Sequence, residues 1–71
     1  MECNSIGIKM LAAILGGEPE SEASRGAGDE RMTIFRLPNG SRAVETNGDP
    51  IFEDQDFQAF AEAHAWIEAG R

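Results

Sequence analysis

The chain has 71 residues and a formal net charge of -7, from thirteen acidic and six basic side chains. So one-signed a surface repels nucleic acid and anionic membrane and attracts basic surfaces, which points to protein partners with a basic face and excludes direct nucleic-acid binding and membrane association. One domain fits this length, and its core is thin: four phenylalanines, one tryptophan, no tyrosine and a single cysteine leave no intramolecular disulfide, so partner binding or self-association is the remaining staple.

Asn4 or Ser5 can cap a first helix, and Ile6, Met10, Leu11, Ile14 and Leu15 recur at helical spacing. Gly16 and Gly17 stop it, which predicts a helix over about residues 5–15 within an N-terminal segment 1–15. That helix is apolar nearly all round, the pattern of a core or interface helix. Residues 16–30, GGEPESEASRGAGDE, hold no large apolar side chain and read as a flexible acidic linker. Residues 31–71 then read as a self-contained β-β-β-α unit, with Met32 near its head as an alternative start.

Residues 31–37, RMTIFRL, have strand composition, and Leu37-Pro38-Asn39-Gly40 is a turn signal. Residues 41–46 return as a second strand, Asn47-Gly48 is a favoured hairpin turn, and Asp49-Pro50-Ile51-Phe52 forms a third strand, at an edge because Pro50 cannot donate. A three-residue loop at Pro38-Asn39-Gly40 sets Ile34 opposite Val44 and Phe35 opposite Ala43; a two-residue loop at Asn39-Gly40 would pair Phe35 with Val44 instead. A two-residue loop at Asn47-Gly48 sets Val44 opposite Ile51 and Ala43 opposite Phe52. Both faces are then apolar, so the sheet needs two covers: the C-terminal helix on one, and the N-terminal helix or a second copy of the chain on the other. Asp54 is the expected N-cap of the last helix, with Phe57, Phe60, Ala61, His64 and Ile67 as its apolar stripe, Trp66 off to one side and Gly70 at its end. The expected fold is α+β: an N-terminal helix, a three-stranded antiparallel sheet of two hairpins and a C-terminal helix packed on it (α-β-β-β-α).

The residues expected to bind a partner are Asp49, Glu53, Asp54, Asp56 and Glu62, as an anionic surface, and Trp66, as an apolar anchor. Capping of the last helix is the competing explanation for the acids at its start. His64 stands alone, without a recognisable nucleophile or orienting acid, and reads as a half-buried helix residue. Cys3 reads as inert. Arg36 and Arg42 face each other in the favoured register, a costly juxtaposition unless Glu45 or acids from the linker intervene. No calcium loop, metal-ligand cluster or cofactor motif is recognisable, and the expected cofactor set is empty.

Three resemblances add to this reading. Residues 11–17, LAAILGG, resemble the end of a double-glycine leader, the type removed from some exported bacterial peptides. The order α-β-β-β-α is similar in outline to the double-stranded-RNA-binding domain, and its β-β-β-α part looks like the small sheet-plus-helix DNA readers. Here the last helix begins Glu53-Asp54-Gln55-Asp56, where the RNA-binding family carries lysines, so the phosphate-binding role that likeness implies is contradicted at the positions that would carry it. In size, acidity and lack of catalytic motifs the chain resembles small phage anti-defence proteins, anti-CRISPR proteins among them. The expectation is a non-enzymatic, cytoplasmic, acidic protein-binding module, in its sharpest form an inhibitor that mimics nucleic acid on a basic protein surface. The alternative is a small structural or accessory subunit, a homodimer held by its apolar N-terminal helix.

Overall fold

Turn chemistry fixes the register of the sheet. Asn47 (φ 50°) and Gly48 (φ 85°) both adopt the left-handed conformation of a two-residue hairpin turn. Gly40 (φ 89°) closes the other loop, where the Leu37 N–H donates to the Ser41 carbonyl at 2.8 Å and the Gly40 N–H to the Leu37 carbonyl at 2.9 Å. In the computed structural model, which describes residues 3–71, the chain runs α1 (Ile6–Ile14), β1 (Glu20–Arg25), a 3-10 turn (Gly28–Glu30), β2 (Met32–Arg36), β3 (Arg42–Thr46), β4 (Asp49–Phe52) and α2 (Phe57–Ala69). Residues 1 and 2 of the expected N-terminal segment lie outside the described residues. The sheet is an antiparallel meander in the order β1-β2-β3-β4.

The α+β class is as expected, but the sheet has four strands, not three, and the order is α-β-β-β-β-α. The extra strand lies where a flexible linker was expected. Its sequence, ESEASR, is poor in β-branched and aromatic residues, so composition does not mark it. What places it is pairing: Ser21 lies opposite Phe35, Ala23 opposite Ile34 and Arg25 opposite Met32, with an irregularity in register between Ser21 and Ala23. The pairings of β2 with β3 and of β3 with β4 follow the expected register, with Ile34 opposite Val44, Val44 opposite Ile51, Phe35 opposite Ala43 and Ala43 opposite Phe52; the two-residue alternative at Asn39-Gly40 is ruled out.

Each face of the sheet has its own helix. On one side Ile34 and Val44 pack with Phe60, Ala63 and Ile67 of α2, joined by Ala23, Met32 and Ile51. On the other, Phe35, Leu37 and Ala43 pack with Ile8 and Ala12 of α1 and with Cys3, joined by Leu11, Leu15 and Phe52. The second cover is therefore the chain's own N-terminal helix. A chain beginning at Met32 would lose both that cover and β1, leaving Phe35 and Ala43 bare, so residues 31–71 are not self-contained in packing.

Ser5 caps α1 by accepting from the Ile8 N–H at 3.2 Å. Gly16 (φ 93°) and Gly17 close its end: their N–H groups donate to the Ala13 and Ala12 carbonyls at 3.1 and 3.0 Å, a Schellman arrangement. Cys3 is buried, and loss of solvation is the main cause that raises its thiol pKa. It should therefore react with an aromatic disulfide reagent about a hundredfold or more slower in native buffer than in denaturant, because access requires local opening. Native labelling as fast as denatured labelling would contradict that burial. Below the ordinary thiol pKa this group leaves stability unchanged. As pH rises through that value toward the raised folded one, the unfolded chain loses its proton first and stability falls.

Candidate functional site

The start of α2 is built by a turn that follows β4. The N–H groups of Gln55 and Asp56 both donate to the Phe52 carbonyl, at 3.1 and 3.0 Å, which holds residues 53–55 outside the helix. Helical geometry begins at Phe57, so the N-cap is Asp56, whose carboxylate accepts from the Ala59 N–H at 3.1 Å. This corrects the expectation for Asp54: that residue does not cap, and its carboxylate is left exposed. The buried stripe is also rotated from the expected one. Phe60, Ala63 and Ile67 face the sheet, whereas Phe57 is 67 % exposed beside Asp54 and Asp56. Small Ala63, between Phe60 and Ile67, suits the face that meets the sheet.

Two ion pairs resolve the facing arginines. Arg36 pairs with Glu22 at 2.8 Å, the acid at the irregularity in β1, and Arg42 pairs with Glu53 at 3.2 Å. Arg42 also lies over the Phe60 ring at 5.4 Å and 3.4 Å from His64 Nε2. His64 lies 4.0 Å from Glu68, which in turn accepts from Arg71 at 3.2 Å. A polar chain thus runs along this flank of α2, and half-buried His64 is one link in it. On the opposite flank, Arg25 stacks on the Trp66 ring at 4.3 Å and donates to the Trp66 carbonyl at 2.8 Å. That arginine ties the edge strand to the last turns of α2 and complements the negative end of its dipole. Trp66 remains 40 % exposed.

The structure divides the expected acidic group. Asp49 and Glu53 flank opposite ends of β4, roughly 13 Å apart at about 3.3 Å per residue. Glu53 is committed to Arg42 and Asp56 to its own helix. Among the described residues, Glu18, Glu20, Asp29, Glu30, Asp49, Asp54 and Glu62 are exposed and make no ion pair. Glu62 and Trp66 are one turn apart on α2, while Phe57 and Trp66 sit nine residues apart on opposite flanks. The candidate surface is therefore the start and outer side of α2, with Asp54, Asp56, Phe57 and Glu62, flanked by Trp66. Phe57 escaped the sequence reading because its helical spacing from Phe60 matched a buried stripe.

A second feature lies at the far end of the sheet. A polar cleft of about 480 Å³ is lined by Asn4, Asp29, Arg31, Thr33, Glu45 and Asn47, among others. Glu45, only 7 % exposed, spends both carboxylate oxygens on the fold: Oε1 accepts from the Asn4 N–H at 3.2 Å and Oε2 from the Gly48 N–H at 3.3 Å. It pins the entry to α1 onto the last hairpin and does not reach Arg36 or Arg42. Among the described residues, no group of three or more His, Cys, Asp or Glu is placed to hold a metal ion, and no helix is long and apolar enough to cross a membrane. No family model, curated protein or solved structure matches the chain.

Proposed function

We propose that the protein is a non-enzymatic binding module that docks its acidic surface on a basic protein, in the sharpest form as an inhibitor occupying a nucleic-acid-binding channel, as phage anti-defence and anti-CRISPR proteins do. The observation that carries this reading is the surplus of exposed carboxylates with no ion pair, Asp54 and Glu62 on the α2 side among them. Such groups attract lysines and arginines that otherwise hold phosphate, and exposed Phe57 and Trp66 supply apolar contacts that slow release. The reading sets the protein in a reducing compartment, the cytoplasm, which the free thiol of Cys3 supports.

The test is capture from a host lysate with wild-type protein and with the triple variant Asp54→Lys, Asp56→Asn, Glu62→Lys. Asparagine caps a helix as well as aspartate does, so the variant changes charge and keeps the α2 cap. The expected result is a basic, nucleic-acid-binding protein held by the wild type, displaced by added DNA or RNA, and bound at least about tenfold more weakly by the variant. Equal capture by both proteins, or capture of no basic protein, contradicts the proposal.

A further inference from the structure

The sheet has two edges, and they are not protected alike. β4 carries Pro50, which has no N–H to offer, and α1 lies against that proline, where a Cβ at Gly7 would stand 3.4 Å from it. β1 has neither proline nor lysine in its six residues, and among the described residues no backbone hydrogen bond reaches it except from β2. The register shows which of its groups are free. The Leu37 N–H bonds Ser41, so alternation along the antiparallel ladder turns Phe35 toward β3, and Ile34 and Met32 toward β1. Their partners Ala23 and Arg25 turn inward in return, which leaves the N–H and C=O of Ser24 pointing outward.

The surroundings of this edge are acidic. Arg42 stacks on Phe60, so Arg36 opposite it, and Glu20 opposite Arg36, lie on the α2 side of the sheet. Arg25 stacks on Trp66, which sets Trp66, and Glu62 one turn before it, on the flank of α2 nearest β1. Where β1 begins, a cleft of about 450 Å³ is lined by Glu18, Glu20, Leu37 and Pro38, and by Arg36, whose charge Glu22 already meets. Glu18, Glu20 and Glu62 are exposed and make no ion pair among the described residues.

We propose that the outer edge of β1 takes up an extended basic segment of another protein as a fifth strand, antiparallel like the other four. Ser24 supplies main-chain hydrogen bonds, and lysine or arginine side chains of the segment reach Glu20 and Glu62 beside Trp66. Charge complementarity selects this occupant. A second copy brings a further -7, and Arg25, the only cation of residues 18–30, is already committed to Trp66. The irregularity beside Glu22 breaks the edge into short runs, so main-chain bonds alone hold a strand weakly and the carboxylates decide which strand is held. This contact extends the acidic-module reading but needs neither Asp54 nor Phe57.

The probe is a synthetic peptide, about eight residues long, that alternates lysine and valine, titrated into the full chain. Trp66, the only tryptophan, reports binding by fluorescence, and amide exchange at Ser24 reports the ladder. An antiparallel strand with its lysines on the α2 side turns its valine N–H groups toward Ser24. The expected result is saturable binding, with the Ser24 amide exchanging at least about tenfold more slowly. Methylation of the valine nitrogens should weaken binding at least about tenfold, and methylation of the lysine nitrogens far less. Ser24→Pro should act like valine methylation, because it removes an outward donor and leaves the ladder to β2 intact. Should its circular dichroism differ from wild type, the methylated peptides carry the test unaided. Asp54→Lys with Asp56→Asn should leave peptide binding within about threefold at 0.15 M salt, so this proposal and the docking of the α2 surface fail separately. A peptide that binds equally well with its valine nitrogens methylated is held by charge alone and overturns the proposal. So does absence of binding at about 1 mM peptide, or a Ser24 amide protected by self-association before peptide is added.

Discussion

Replacing Phe35 with alanine should cost about 3–5 kcal/mol and leave the chain only marginally stable at room temperature. Phe35 is 1 % exposed and sits at the centre of the layer between the sheet and α1, against Ile8, Ala12, Leu37 and Ala43. Removing its ring opens a cavity that α1 can only partly fill, because the entry to the helix is pinned to β3 by the bond from the Asn4 N–H to Glu45. A domain of this length is stable by about 5 kcal/mol, so the loss takes most of that margin. Ile14→Ala, at a position 77 % exposed on the same helix, should stay within about 0.5 kcal/mol of the wild type. Urea unfolding measures both. A Phe35→Ala loss below about 1 kcal/mol would mean that α1 does not seat on the sheet as described.

Glu45→Ala should be the most damaging substitution of a charged residue, at about 1–3 kcal/mol. The carboxylate accepts one backbone N–H on each oxygen, from Asn4 and from Gly48, and joins two segments distant in sequence. Alanine leaves both donors without their protein partner at a half-buried site. Glu45→Gln keeps one acceptor oxygen but turns an amide NH₂ toward the second donor, so its effect should fall between wild type and alanine. The measurement is urea unfolding of the three proteins, with amide exchange at Asn4 and Gly48 as the local readout. Both amides should exchange faster in the alanine variant, and an unchanged midpoint with unchanged exchange would contradict the role given to Glu45.

Much of the sheet was legible in the sequence because its turns are chemically explicit. Asn47-Gly48 and Gly40 need positive φ, and the loops they favour align the apolar rows through Ile34, Val44 and Ile51 and through Phe35, Ala43 and Phe52; the alternative loop at Asn39-Gly40, which pairs Phe35 with Val44, was excluded only by the strand pairing itself. The strand Glu20–Arg25 was not legible: its only apolar side chain is Ala23, and it is held by its ladder to β2 and by the Arg25–Trp66 contact, neither of which leaves a local pattern. Missing that strand also hid the partner of Arg36, because Glu22 reaches it from the irregular point of β1. At the other end of the chain, Asp54 and Asp56 both suit a helix cap. The choice between them is made by two backbone N–H groups that converge on the Phe52 carbonyl, and the same two-residue shift turned Phe57 outward. The acidic surface was legible as a charge surplus but not as a shape, since β4 separates Asp49 from Glu53 and Arg42 withdraws Glu53.

Electrostatic attraction through free carboxylates is the physical basis of the proposed activity, and its dependence on salt reads it directly. For the partner captured by the wild-type protein, affinity measured between about 0.05 M and about 0.5 M salt should fall by tenfold or more, mainly through slower association, because screening weakens steering between exposed charges. An affinity that stays flat across that range would contradict binding through the acidic surface.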